Sequence, residues 1–245
     1  MLNSVASQSI RHLFTQSDEV EVEIRCSPSS KLLQGAIDSF KMRGTGLVIR
    51  RQFRAETMSF ETDAVAIDFG AILGGNIRLK RPTQAIAQVT LTEQAINEAF
   101  TADLVQKRIT QVDDEDLTGL SGGEPLDFRD VAIKLLPEQR VKLSAKTDLP
   151  NRDNVPISLQ ATLAVERRRR ITFDDAEFDA DGVSPDVMAL SKILTQGFIR
   201  LLNNMVDLDR FDLDGVMMRI NRLETKGTQL IFSGYAQIDH FPSVK

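Results

Sequence analysis

From Glu19 to Arg25 the chain alternates strictly, with Val20, Val22 and Ile24 on one side and charged residues on the other. Successive side chains of a strand point to opposite faces, so this predicts a half-buried antiparallel strand. The same period returns at Met58 and Phe60, at Ala85, Ala87, Val89 and Leu91, at Val131, Ile133 and Leu135, and at Val141, Leu143 and Ala145. Its longest run is Ile157, Leu159, Ala161, Leu163 and Val165, with Ser158, Gln160, Thr162 and Glu166 on the reverse face. Near the C-terminus, Val216, Met218 and Ile220 mark one strand and Leu230, Phe232, Gly234, Ala236 and Ile238 another. The turn around Lys226-Gly227 predicts that the two form a hairpin.

Three stretches change to the helical period. Leu2, Val5, Ala6, Ile10, Leu13 and Phe14 place one apolar stripe on an N-terminal helix. That stripe either packs on the domain or docks on a membrane surface. Thr92 is a cap for a short helix running to Phe100. Ser184-Pro185-Asp186 has the hydroxyl, proline and acid of a helix start. After it, Val187, Leu190, Leu194, Phe198, Leu201 and Met205 step by three and four, while Lys192, Gln196, Arg200 and Asn204 occupy the other side. The acidic, glycine-containing segment Asp113–Gly123 reads as a loop, and Asp174–Gly182 is a second acidic segment. Long alternating strands without βαβ repetition predict one α+β domain over residues 1–245, built on a mostly antiparallel sheet.

Composition narrows the function classes. With 30 Lys+Arg against 35 Asp+Glu and a net charge of -5, the chain is poorly suited to coating nucleic acid, and no nucleic-acid partner is expected. Thirteen Phe, one Tyr and no Trp make the aromatic inventory almost purely apolar, which suits dry surfaces. Cys26 is the only cysteine, so no internal disulfide forms. No run approaches the roughly 18–20 apolar residues of a membrane-spanning helix, and Met1–Gln16 lacks the n- and h-regions of a signal peptide. The expected location is therefore inside the cell, free or at the surface of a membrane.

Candidate chemistry is sparse. A nucleophilic triad needs a positioned base, and the only histidines, His12 and His240, lie near the two ends and beside no nucleophile motif. With two His and one Cys scattered along the chain, no zinc set is expected. Asp207–Gly215 superficially resembles a calcium loop, but its acids are misplaced before the glycine and the closing Glu is missing. Gly44-Thr45-Gly46 lacks the third glycine of a dinucleotide fingerprint and reads as a bend or bulge in a strand. Neither an enzyme nor a cofactor is expected.

The conspicuous charge run is Arg167–Arg170. Arg167 and Arg169 continue the phase of Leu163 and Val165, and Ile171 and Phe173 resume it. Either all four arginines are solvated at a turn or edge, or the strand passes a cavity mouth where guanidinium groups engage phosphate.

Three further segments carry a family resemblance. Ile77-Arg78-Leu79-Lys80-Arg81-Pro82, followed by a strand and then Leu91-Thr92-Glu93-Gln94-Ala95-Ile96-Asn97, resembles the basic-Pro turn, strand and helix start of the LmeA-like bacterial phospholipid-binding proteins. Gly44–Arg50 resembles that family's Gly-x-Gly-Leu segment, and Gly227–Ala236 its closing strand. The resemblance implies a fold similar to the tubular lipid-binding proteins, with a long, strongly twisted antiparallel sheet wrapped around helices and enclosing an apolar tunnel. It further implies phospholipid as the partner and peripheral contact with a membrane. On that reading Phe60, Leu159, Leu163, Leu190, Leu194, Phe198, Leu201 and Phe232 line the lipid cavity, and Arg167 and Arg169 are the head-group residues. The alternative is an interaction or scaffold protein in which the same apolar surface is a filled core.

Overall fold

A computed structural model describes residues 2–49, 51–68, 78–210 and 215–239. Ile77 of the basic-Pro motif, residues 211–214 of the acidic segment and His240 lie outside them. Helix α1 (Leu2–Arg11) leads into β1 (Glu19–Arg25), a single turn α2 (Ser30–Leu33), β2 (Ala36–Ile37), β3 (Ser39–Ile49), β4 (Phe53–Thr62), β5 (Val65–Ala66) and β6 (Thr83–Thr92). There follow α3 (Glu93–Ala99), α4 (Asp103–Ile109), α5 (Glu115–Thr118), β7 (Phe128–Leu135), β8 (Arg140–Leu149), β9 (Arg152–Glu166) and β10 (Arg170–Phe178). Helix α6 (Met188–Asn203), a 3₁₀ turn (Leu208–Arg210), β11 (Val216–Lys226) and β12 (Gln229–Ile238) complete the order. The result is an α+β protein dominated by antiparallel sheet.

The strands form a six-stranded sheet in the order β1-β3-β4-β6-β12-β11, a four-stranded sheet β10-β9-β8-β7 and a small β2-β5 ladder. The chain divides into two compact units. Met1–Leu91, Leu208–Arg222 and Ile231–Lys245 make the first, and Thr92–Asp207 with Leu223–Leu230 the second.

In the first unit, register decides which side chains share a face. Val22 lies opposite Met42, Met42 opposite Phe60 and Phe60 opposite Ala87, so one row across four strands is entirely apolar. The neighbouring row runs Val20, Gly44, Met58 and Val89. The opposite face carries Glu21 against Arg43 and Glu23 against Lys41, and Lys41 pairs with Glu61 at 2.6 Å. Helix α1 lies over one edge of the apolar face, with Ala6 and Ile10 buried against Val22 and Met42. The packing alternative for its stripe is therefore the observed one. The helix also closes the open edge of β1, because Asn3 Oδ1 and Ser7 Oγ accept hydrogen bonds from the Ile24 and Val22 amides. Unpaired edge amides invite further strand pairing, so these two side chains protect the sheet. Gly46 sits in β3 at φ +57, beside the Asp18 carboxylate where a Cβ would clash, so the glycine pair does mark a local distortion of the strand.

In the second unit, α6 packs across β9 and β10. Its start differs from the sequence expectation. Ser184–Val187 forms a turn and the helix begins at Met188 with Val187, which has no polar side chain, at the cap position, while the Ser184 hydroxyl donates to Asp186, itself engaged by Arg152 at 2.6 Å. Thr92 does cap α3, accepting from the Ala95 amide at 3.1 Å. The segment expected as a loop contains α5, a turn of helix capped by Asp114. The tip of the β11–β12 hairpin is anchored to this unit through Thr225, which donates to the Leu136 carbonyl and accepts from the Gln139 amide.

Candidate functional site

The apolar face of the first unit is incompletely covered. Leu47, Ala55 and Val89 are buried at its centre, but Phe14, Val20, Met58, Leu91 and Phe232 around them are only partly buried. Phe60 and Phe40 are likewise partly buried around the α1 contact. Thus Phe60 and Phe232, both read from the sequence as apolar contacts, belong to one sheet face and keep accessible ring surface.

The other apolar candidates belong to the second unit. Leu159, Leu194 and Phe198 are completely buried, and Leu163 nearly so. The Phe198 ring lies against Phe128 with centroids 4.6 Å apart. Leu190 and Leu201 are half-buried on one flank of α6, next to the exposed Ile193. Two residues invisible to a hydrophobic count complete this packing. Ser191 donates to the Pro156 carbonyl, and Thr195 accepts from the Ser158 amide, so both hydroxyls are buried with partners. Their alignment on one side of α6 with Leu194 and Phe198 is the only sequence signal that marks them.

The arginine run forms the β9–β10 hairpin turn. Val165 pairs with Ile171 and Leu163 with Phe173, so the apolar phase passes directly across the hairpin. The Arg169 amide donates to the Glu166 carbonyl, and the two central residues, Arg167 and Arg168, have φ of 49° and 61°. Positive φ at both centres is the backbone of a type I′ turn, where Asn-Gly is the low-energy choice. Arginine there carries backbone strain. The Arg167 side chain is 76% exposed, whereas Arg169 and Arg170 approach the buried Asp207 carboxylate at 4.0 and 3.6 Å.

A separate groove of about 410 Å³ lies at the β1 edge beside α1 and is lined by Asn3, Ser7, Val20, Val22, Glu21, Glu23, Lys41 and Arg43 among others. Its walls set the acids Glu21 and Glu23 and the cations Lys41 and Arg43 beside Val20 and Val22. Among the described residues no cluster of His, Cys, Asp or Glu comes together as a metal site, and no helix is long and apolar enough to cross a membrane.

The strongest buried charge contact is structural. Asp179 accepts from Lys142 at 2.6 Å, from the Asp181 amide and from Gln160. The Lys142 hydrogen bond, assisted by the other two donors, holds the Asp179 carboxyl below its ordinary 3.8, and Asp179 in turn raises the Lys142 ammonium above 10.5. A carboxylate with a depressed folded pKa adds stability above its unfolded value and loses it as pH falls through the folded one. Stability should therefore decline below about pH 4. Lys142→Met should lower stability at neutral pH and flatten that acid-side decline, as read by urea titrations from pH 7 to pH 3. An unchanged acid limb would show that the pair adds nothing.

Together these features define an antiparallel α+β protein with an accessible apolar sheet face and a basic, strained hairpin tip. The family model of LmeA-like phospholipid-binding proteins matches residues 1–234, and the chain belongs to that family. No curated protein and no solved structure matches it.

Proposed function

We propose that the protein binds phospholipid without transforming it, holding acyl chains against its apolar surfaces and meeting membranes peripherally in lipid carriage or membrane maintenance. The observation that carries this reading is the row of apolar but partly accessible side chains on the first unit's sheet, with Met58, Phe60 and Phe232 as acyl contacts. Leu190 and Leu201 are the accessible counterparts on α6, backed by Leu159, Leu163, Leu194 and Phe198. A tubular lipid-binding arrangement, with twisted strands wrapped around helices, is the architecture this reading implies. Energetically, burying acyl carbons is worth about 0.8 kcal/mol per CH₂ relative to water, but a bilayer offers the same shelter, so loading is reversible.

The hairpin tip supplies the head-group candidates. Backbone strain at an exposed turn points to a functional requirement for those side chains. Arg167 is the more exposed of the two candidates and lies 3.8 Å from the exposed Glu166 carboxylate, while Arg169 is drawn to buried Asp207.

Native mass spectrometry of the purified protein, with lipid extraction from the same sample, tests the reading. The expected result is a stoichiometric phospholipid adduct. The double variant Phe60→Ala/Phe232→Ala should lose most of it while keeping a native circular dichroism spectrum. The variant Arg167→Asn/Arg168→Gly should raise stability by about 1–2 kcal/mol, through relief of turn strain, and weaken binding of anionic phospholipid. A lipid-free mass unchanged by liposomes would instead favour a scaffold protein with a filled core, the reading to which the complete burial of Leu159, Leu194 and Phe198 lends support.

A further inference from the structure

One surface of the first unit joins exposed cations to an exposed leucine. The turn α2 sends Leu32 toward the buried cluster Ile37, Val65 and Ile67, which leaves Leu33, its neighbour, 69% exposed. Helical geometry forces this divergence, since consecutive residues are about 100° apart around the axis. The end of α2 is tied down. The Ile67 amide donates to the Gly35 carbonyl at 2.7 Å, and Lys80 Nζ donates to the Gln34 carbonyl at 3.2 Å. Leu79 bridges to Ile67 and packs inward on the same cluster, so the exposed Arg78 and Lys80 flank it and Arg81 follows.

Charge at this surface opposes that of the whole chain. Lys31 is matched by Asp38 at 2.8 Å, and Asp68 lies beside Arg78, its amide donating to the Arg78 carbonyl at 2.7 Å. Arg78, Lys80 and Arg81 make no ion pair among the described residues. A net-acidic protein thus presents a local cationic segment, tied through Lys80 to the residue that follows the exposed Leu33. Nucleic acid would use the cations and leave Leu33 wet, whereas an anionic bilayer uses both, phosphates at the surface and hydrocarbon beneath.

We infer that Leu33 with Arg78, Lys80 and Arg81 is the surface by which this protein docks on an anionic bilayer. This inference rests on the phospholipid-binding reading and adds the place of membrane contact, which is neither α1 nor the β9–β10 hairpin. The cations attract the surface, and Leu33 inserts among the head groups.

Co-sedimentation with vesicles tests it, using phosphatidylcholine alone or mixed equally with phosphatidylglycerol, at low and high salt. The full-length protein should sediment with the anionic vesicles only, and salt should release it. Arg78→Gln/Lys80→Gln/Arg81→Gln should weaken partitioning by about 100-fold, since each cation near the surface contributes about fivefold. Leu33→Asp should weaken it about tenfold by removing the inserted side chain. Both variants should keep the wild-type adduct with a soluble short-chain phosphatidylglycerol in native mass spectrometry. Equal sedimentation of wild type and variants would overturn the assignment, as would equal binding to neutral vesicles. If the wild type formed the short-chain adduct but ignored all vesicles, docking would fail and lipid binding would stand. If it did neither, both would fall. Capture of single-stranded RNA in place of vesicles, lost in the triple variant, would reassign the surface to nucleic acid.

Discussion

Replacing Phe198 by alanine is expected to lower stability by about 4 kcal/mol. The ring is completely buried on α6 and its centroid lies 4.6 Å from that of Phe128, so truncation removes transfer free energy, the paired ring contact and close packing at once. Urea unfolding followed by circular dichroism measures the loss, with Phe198→Leu as the control that should lose about 1.5 kcal/mol or less. The same variant bears on function. If the α6 surface is a filled core, the loss will be insensitive to phospholipid, because the new void is sealed. If acyl chains reach it, short-chain phospholipid will restore part of the lost stability, since a ligand that binds only the folded state stabilises it by mass action. A loss below about 1 kcal/mol without lipid would show that Phe198 is not tightly packed.

The second large effect is expected at Gly234 in β12. A Cβ built there would stand 1.8 Å from the Arg219 carbonyl oxygen of β11. That neighbour is backbone in a strand, and no rotamer change relieves the overlap. Gly234→Val should therefore break the local β11–β12 pairing and cost about 3 kcal/mol or more. Amide hydrogen exchange of residues 217–223 and 231–238, measured against wild type, locates the damage. Protection retained along both strands would show that the hairpin accommodates a side chain there and that the approach of Arg219 is not obligatory.

Much of the secondary structure was legible because its cause is local. Alternation at Glu19–Arg25 and Ile157–Val165 reports one apolar and one more polar face, and those residues fall in β1 and β9. The Thr92 hydroxyl acts within one turn, so its capping role is readable from four residues. Misplaced features had competing partners distant in the chain. Asp186, expected at a helix start, is held by Arg152, 34 residues away, and the helix begins later. Buried Ser191 and Thr195 form no part of the apolar stripe read from the sequence, because their acceptor and donor, the Pro156 carbonyl and the Ser158 amide, lie more than 30 residues upstream.

The candidate site divides along the same line. Phe60 and Phe232 were readable as inward-facing, but their partial exposure depends on what packs over the sheet, α1 beside Phe60 and the Leu47 cluster beside Phe232. The arginine run could be recognised as a break in phase. Its strained turn, and the difference between the exposed Arg167 and an Arg169 drawn to buried Asp207, required the hairpin register and a carboxylate about 40 residues downstream. Leu33 attracted no notice, since an isolated leucine carries no period.

By itself, then, the sequence determined what is encoded at short range: the periods of strand and helix, the inward phase of each strand, the cap at Thr92, the inverted charge of isolated segments and membership of a lipid-binding family. Tertiary structure alone decided which strands share a sheet, which apolar rows are sealed and which stay accessible, and which charges find partners. Those outcomes depend on contacts between residues far apart in the chain, and neither period nor composition specifies such contacts.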